Sequence, residues 1–438
     1  MRVLLLGTSL LLLACGPAQA QQDRDAKVRK DRQAYQASKD WIYDDLSEGM
    51  RVAKAAGKPL FVVVRCIPCE ACQEFDDEVA RRDPIIRDLL DQYVCVRIVK
   101  ANALDLTHFR HDFDLSFAAY MMNPDLTIYG RYGTRSGRPE YEDISLEGLR
   151  KAMEEGLRLH RDLERIRATL AGKQVGPSRY GTPRDYPTLA GKYRATLDYE
   201  GKVASSCIHC HQIRDAERRV YRDAAASIPD DVLFPNPDPS TIGLTMDPKQ
   251  MATVERVAPG SPADQAGLRP ADEILALDGQ PLLSTADLQW VLHHAPATGR
   301  LPARVGRRGK TLDLTLILPE GWRRGDISWR PTTWDLRRMG LGGMKLADLS
   351  AEERRRAGLA DDALALRVEH VGEYGEHAVA KRAGLRADDI LVGFDDLKGR
   401  LTETDLLAYT VQKRRPGDMV RVTVLRDGKR MTFRYTLQ

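Results

Sequence analysis

Leu60-Phe-Val-Val-Val-Arg-Cys66-Ile-Pro-Cys69-Glu-Ala-Cys72-Gln-Glu-Phe75 sets a short apolar run directly against three cysteines spaced three apart. Phe61 to Val64 is β-branched and aromatic, the composition of a buried strand. Pro68 suits a first helical position, where its missing N–H costs nothing. The spacing therefore predicts a strand that hands over to a helix among the cysteines. Backbone N–H groups and the helix dipole at such a junction favour thiolate over thiol. Cys69 and Cys72 then fall one helical turn apart on one face, within reach of a disulfide. Three spaced thiolates also suit zinc or cuprous copper, or a purely structural thiol cluster, and the residue types leave these readings open.

Lys58-Pro59, the strand, the short loop and Cys-x-x-Cys resemble the active-site unit of the thioredoxin fold. The resemblance implies that Cys69 is the attacking thiol and Cys72 the resolving one. Cys66 is additional, and Cys66-Ile-Pro-Cys69 offers a second register. The first register is preferred because Cys66 follows the strand too closely to sit on the helix. Thioredoxins also set a cis-proline against the cysteines. Here the corresponding stretch, Asp114 to Asn123, has no proline before its strand, and Pro124 lies beyond it. That departure argues against ordinary broad-range thioredoxin activity.

Outward from this unit, Met1-Arg2, the apolar run Val3 to Ala14 and Ala18-Gln19-Ala20 read as a signal peptide over 1–20, hence export to the periplasm or cell envelope. Leu12-Leu-Ala-Cys15 resembles a bacterial lipobox that would anchor lipid at Cys15; Leu13 is unusual there, so the soluble form is preferred. No later run is long and apolar enough for a transmembrane span. The 438 residues, 42% hydrophobic and 30% charged, predict several domains. A net charge of +4 without a basic block argues against nucleic acid. Residues 21–40 are charged and lack an apolar stripe, which predicts a solvated helix or tether. A β-α-β-(α)-β-β-α order over 41–165 fits a thioredoxin-like domain, with Cys95 as a plain buried strand residue.

Residues 166–239 are poor in regular pattern and predict a linker with one embedded motif, Cys207-Ile-His-Cys210-His211. CxxCH is the attachment signature of haem c, in which two thiols bond the porphyrin and His211 becomes an axial metal ligand. Zinc and a disulfide are the alternatives. Met246 and Met251 are distal-ligand candidates that also suit a plain core role.

Beyond Pro239 the chain repeats itself. Ala258-Pro-Gly-Ser-Pro to Asp278-Gly279 closely resembles the central segment of bacterial PDZ domains, and His377 to Asp395 repeats it one residue shorter. A PDZ domain binds an extended peptide as an added strand, and a loop of backbone N–H groups holds its carboxylate. Thr241-Ile242-Gly243-Leu244 matches that loop in the first copy and Leu341-Gly342-Gly343-Met344 in the second. Either groove could instead be filled by the protein's own chain, most readily the second, where Ser350 to Ala357 is inserted as a charged helix. The expected fold class is multidomain, α/β and mainly-β: a thioredoxin-like α/β domain, a linker with a CxxCH motif and two tandem PDZ domains, at 240–320 and 334–438.

This order resembles a bacterial family described as thioredoxin-like/PDZ (seleno)proteins, which implies redox chemistry at the cysteines. Three functions follow: an envelope thiol–disulfide oxidoreductase with a redox partner, whose PDZ grooves select peptide or protein clients; a haem electron carrier; or a non-catalytic adaptor. No Ser-His-Asp arrangement with an oxyanion glycine motif stands out, which argues against an HtrA-like peptidase.

Overall fold

The computed structural model describes residues 17–69 and 72–438. Most of the leader read over 1–20, Cys15 included, lies outside the described residues. No described helix is long and apolar enough to cross a membrane.

The first helix, α1 (Pro17–Tyr35), is charged but not simply solvated. Its one valine, Val28, is 1% exposed against Val203, Ala204 and Cys207, and Asp25 accepts the Ala204 N–H at 2.7 Å. The tether expected over 21–40 is thus docked, because a single apolar residue and paired carboxylates suffice to seat it.

Five strands follow, β1 (Ile42–Tyr43), β2 (Leu60–Arg65), β3 (Val94–Ile98), β4 (Phe117–Met122) and β5 (Ile128–Tyr132), in the order β1-β3-β2-β4-β5. β1, β3 and β2 run parallel, and β4 and β5 antiparallel. Both faces are covered, which explains unbroken apolar runs in place of alternation. Phe61 and Val63 of β2 join Phe75, Leu149 and Met153 on one face; Leu60, Val62 and Val64 join Val96, Phe109 and Tyr120 on the other. Helices α2 (Leu46–Ala56), α3 (Gln73–Ala80) and α4 (Leu146–Arg161) pack around this sheet.

The stretch 166–239, read above as a linker, contains the 14-residue helix α5 (Cys210–Asp223). Ile208, Cys210, Ile213 and Ala216 bury themselves in the sheet's second cluster beside Tyr186 and Leu189. The other side of α5 is a stripe of buried arginines. Arg218 reaches Thr332 Oγ1 at 2.8 Å and Arg222 the Gln438 carbonyl at 2.6 Å. Cys210, Ile213, Ala216 and Val220 recur at helical spacing, but so few apolar residues among so many charged ones leave a faint pattern.

The next unit consists of β6 (Leu244–Met246), β7 (Val254–Val257), β8 (Glu273–Leu277), β9 (Gln280–Pro281), α6 (Thr285–His294), β10 (Gly299–Arg307) and β11 (Lys310–Leu318). It forms a two-stranded sheet β6-β7 and a four-stranded sheet β11-β10-β8-β9. The last comprises α7 (Thr333–Leu341), β12 (Met344–Asp348), β13 (Leu366–Val371), β14 (Ile390–Phe394), α8 (Glu403–Gln412), β15 (Met419–Arg426) and β16 (Lys429–Thr436), its strands in sequential order. The charged helix anticipated over 350–357 spans Ala351–Arg356, capped by Ser350. One ion pair recurs in both units. Arg307 grips Asp272 and donates to the Gly267 carbonyl at 2.7 Å; Arg426 grips Asp389 and donates to the Gly384 carbonyl at 2.8 Å.

The units are docked through buried charge. Asp287 of α6 takes the Arg131 N–H of β5 at 3.1 Å and pairs with Lys173 Nζ at 2.8 Å. Arg330 pairs with Asp112 and Asp114 at 2.6 and 2.9 Å.

Candidate functional site

Strand β2 ends at Arg65, and the cysteine loop begins at once. The Cys66 N–H donates to the Ser116 carbonyl at 2.9 Å, and the Cys69 N–H turns back to the Cys66 carbonyl at 3.1 Å. Ser116 thus stands beside the cysteines, just before β4. The Arg65 guanidinium, 2% exposed, gathers this loop: it donates to the carbonyls of Cys66 (2.6 Å), Ser116 (2.9 Å) and Cys69 (3.0 Å). Asp76 neutralises it at 3.1 Å and also holds Arg97.

The helix starts later than the proline suggested. Cys72 has left-handed backbone, φ 60° and ψ 20°, which a right-handed helix cannot include, so α3 begins at Gln73. Pro68 lies in the turn before it. This changes which sulfurs meet. Cys66 Sγ lies 3.1 Å from Cys69 Sγ, whereas Cys72 is buried in the cluster on the opposite face of the sheet. The register preferred from sequence, Cys69 with Cys72, gives way to Cys66 with Cys69, because the left-handed residue turns the third sulfur away. Burial and Glu140 push the Cys72 thiol up to about 11.

The CxxCH motif closes over this pair. Cys66 Sγ is 3.1 Å from His209 Nδ1, across 143 residues of sequence, and Cys69 bonds both His209 and His211. The two imidazoles stack at 5.5 Å with planes 8° apart. Hydrogen bonding from Cys66, then from His209 and His211, holds the Cys69 thiol far below its ordinary value despite burial. Cys66 shifts upward for the complementary reason. The two opposite shifts favour negative charge on Cys69, the less buried of the two sulfurs. Burial opposes protonation of His211, but Cys69 and Asp215 outweigh it and raise its pKa.

Haem c needs both thiols and the histidine directed at one porphyrin. Cys207 packs with Val28, Leu197, Val203 and Ala204; Cys210 packs against the sheet; His211 is turned to Cys69. Burial pushes both thiols up to about 12. These residues as packed do not fit a haem. Met246 is a buried core residue of the first C-terminal unit, as its alternative reading had it.

Two of the decisive residues, Arg65 and His209, were missed in the sequence. Arg65 left a faint signal, a charge at the end of an apolar strand; His209 sat unremarked inside the motif.

The two stretches read in the sequence as carboxylate loops diverge. In the first, Gly243 has φ 87°, and a Cβ there would lie 2.0 Å from Ser261 Oγ, so only glycine fits. Beside Thr241, Leu244, Thr245 and Met246 opens a cavity of about 320 Å³, roofed by Arg138 and Trp329. In the second, the Gly343 N–H is spent on the Arg337 carbonyl at 2.9 Å. Glu403 of α8 bridges to the Leu346 N–H of β12 at 2.7 Å while paired with buried Arg337. Phe234 and Ile327 of the protein's own chain join that unit's core.

Residues 41–124 match the thioredoxin-like family and residues 253–301 the PDZ domain. The chain thus carries a thioredoxin-like domain and a PDZ domain, a peptide-binding fold. Among curated proteins it is similar to a probable periplasmic serine endoprotease, DegP-like, of Marinomonas sp. (strain MWYL1), 36% identical over 73 residues, 17% of this chain and 16% of that protein. A protein of the same description from Pseudomonas savastanoi pv. phaseolicola is 31% identical over 108 residues, 24% of this chain and 22% of that one. The chain thus spans about a sixth to a fifth of the length of these relatives. Of solved structures, a serine endoprotease from Yersinia pestis overlaps 15% of this chain and 25% of its own, at 25% identity and a TM-score of 0.15. An overlap of that size adds nothing to the fold.

Proposed function

We propose that this chain is an exported thiol–disulfide redox protein in which Cys66 and Cys69 are the reactive pair and a PDZ domain recruits protein clients. The observation that carries the reading is the 3.1 Å approach of the two sulfurs with His209 Nδ1 3.1 Å from one of them. Export is supported by the leader reading and by relatives described as periplasmic.

In the reducing direction, the Cys69 thiolate attacks a client disulfide, forming Cys69–S–S–R and releasing R′S⁻. Cys66 then gives its proton to His209 Nδ1 and attacks the Cys69 sulfur. The Cys66–Cys69 disulfide forms, RS⁻ leaves, and two electrons have passed to the client. The reverse sequence oxidises a dithiol client. Arg65 holds both carbonyls of the loop, so the sulfurs keep their spacing through the exchange.

Thr241 to Leu244 and the adjoining cavity are the proposed client-tail site. The repeated ion pair supports reading the last unit as a second PDZ domain, whose cleft of about 790 Å³ between β12 and α8 is walled on one side by the chain's own Phe234, Arg324 and Asp326. Leu341 to Met344 there serve structure rather than capture. The adaptor is the second reading: this chain spans only 16–22% of the curated relatives' length, and PDZ capture alone would make an adaptor. The haem electron carrier is not favoured by the packing of Cys207 and Cys210.

Trapping separates these. With a small aromatic disulfide, Cys66→Ser should stall as a mixed disulfide at Cys69, Cys69→Ser should lose rapid reaction, and Cys72→Ser should turn over normally. Turnover in Cys66→Ser with loss in Cys72→Ser would overturn the assignment, and slow reaction of every thiol would favour the adaptor.

A further inference from the structure

We propose that the reduced site also binds one d¹⁰ metal ion, Zn²⁺ or Cu⁺, in a two-sulfur, two-nitrogen set made by Cys66, Cys69, His209 and His211. This rests on the same pair of sulfurs as the redox reading but does not require it to turn over.

The ligand atoms of Cys66, Cys69 and His209 all lie within 4.8 Å of one another. The closest approaches are 3.1 Å between the sulfurs and 3.1 Å from Cys66 Sγ to His209 Nδ1. His211 stands at the same helix start, its ring stacked 5.5 Å from that of His209 and nearly parallel to it. Metal–sulfur bonds of about 2.3 Å and metal–nitrogen bonds of about 2.0 Å set tetrahedral ligand atoms roughly 3.4–3.8 Å apart. The two Cys66 contacts therefore need to open by only about half an ångström, and His211, outside this three-residue group, must turn inward to complete the four.

The donor chemistry selects the ion. Two thiolates and two imidazoles suit soft or borderline cations, and no carboxylate belongs to the set, which disfavours calcium and magnesium. Around it, Arg65 fixes the carbonyls of Cys66 and Cys69, and the Gln212 side chain takes the His209 backbone N–H at 2.8 Å. Such outer contacts hold ligands in place. The CxxCH motif thus contributes its two histidines to a site whose sulfurs come from the other motif.

Metal and disulfide exclude each other. Binding displaces the remaining thiol proton to solvent. A small-molecule disulfide RSSR then takes both electrons: the Cys66–Cys69 bond forms, two RS⁻ leave and the metal ion is released unchanged in charge.

The test uses the reduced full chain under anaerobic conditions, titrated with Zn²⁺ against a chromogenic chelator and with Cu⁺ against a bicinchoninate competitor. One equivalent should bind, X-ray absorption should show two sulfur and two nitrogen neighbours, and glutathione disulfide should release the ion. His209→Ala and His211→Ala should each weaken binding at least 10-fold with unchanged circular dichroism, and Cys72→Ser should leave it intact. Zn²⁺ binding without Cu⁺ binding, or the reverse, identifies the ion. Absence of both, or binding that survives His209→Ala and is lost in Cys207→Ser, overturns the proposal. If metal fails to bind while Cys66→Ser still traps a mixed disulfide, the redox reading stands alone.

Discussion

Arg65 ends a run that otherwise reads as pure core, and its charge stays buried because Asp76 answers it. The desolvation cost of such a pair is met only when its remaining donors are satisfied, and here they are aimed at carbonyls of the cysteine loop. His111 is a half-buried titratable group that bears on stability. It bonds Tyr120 of β4 at 2.9 Å and faces Arg131 of β5 and Arg214 of α5. Burial, then the two arginines, lowers its pKa to about 3. A depressed histidine contributes stability that is present above its unfolded value, about 6.5, and lost as pH falls from there towards 3. At pH 5 the loss is about 2 kcal/mol, because the unfolded chain gains a proton the folded chain refuses. Thermal unfolding at pH 7 and pH 5 should therefore show a smaller acid-induced drop in His111→Gln than in the unaltered chain. Equal drops would show that His111 takes up its proton in the folded state.

At the level of elements, the two C-terminal units put the same framework to different use. The first keeps a cavity of about 320 Å³ beside β6, and the second one of about 790 Å³ between β12 and α8, where Glu403 also accepts the Leu346 N–H. A carboxylate-terminated peptide should bind the full chain and lose affinity when its end is amidated, since charge-assisted bonds are roughly twice as strong as neutral ones. Gly243→Val should abolish that binding, because its side chain would collide with Ser261 at a left-handed backbone position. Fluorescence anisotropy with labelled peptides reads both; equal binding of free and amidated ends would contradict the site. Strands β2 to β5 were legible because each is buried along its length, whereas the two-residue, half-buried β1 was not. The repeated PDZ segment was legible because turn glycines and Asp272 or Asp389 recur at nearly fixed spacing. Helix α5 was not, since its few apolar residues stand among many charged ones, and the start of α3 was misplaced because nothing in a cysteine announces left-handed backbone.

Across the whole molecule, the site exists only because distant segments converge. Histidines of the 166–239 stretch meet cysteines 143 positions away, and the arginines of α5 tie that same stretch to the C-terminus. No local pattern encodes this meeting, which is why CxxCH read as a haem signature of its own. The packing instead makes it one wall of the Cys66–Cys69 cluster, with α1 packed against Cys207. The most direct measurement is disulfide mapping of the full chain after mild oxidation, with free thiols blocked before digestion and peptides identified by mass spectrometry. The account predicts one principal bond, Cys66 to Cys69, with Cys72, Cys95, Cys207 and Cys210 recovered as blocked thiols. A Cys69–Cys72 bond, or a Cys207–Cys210 bond formed first, would contradict it.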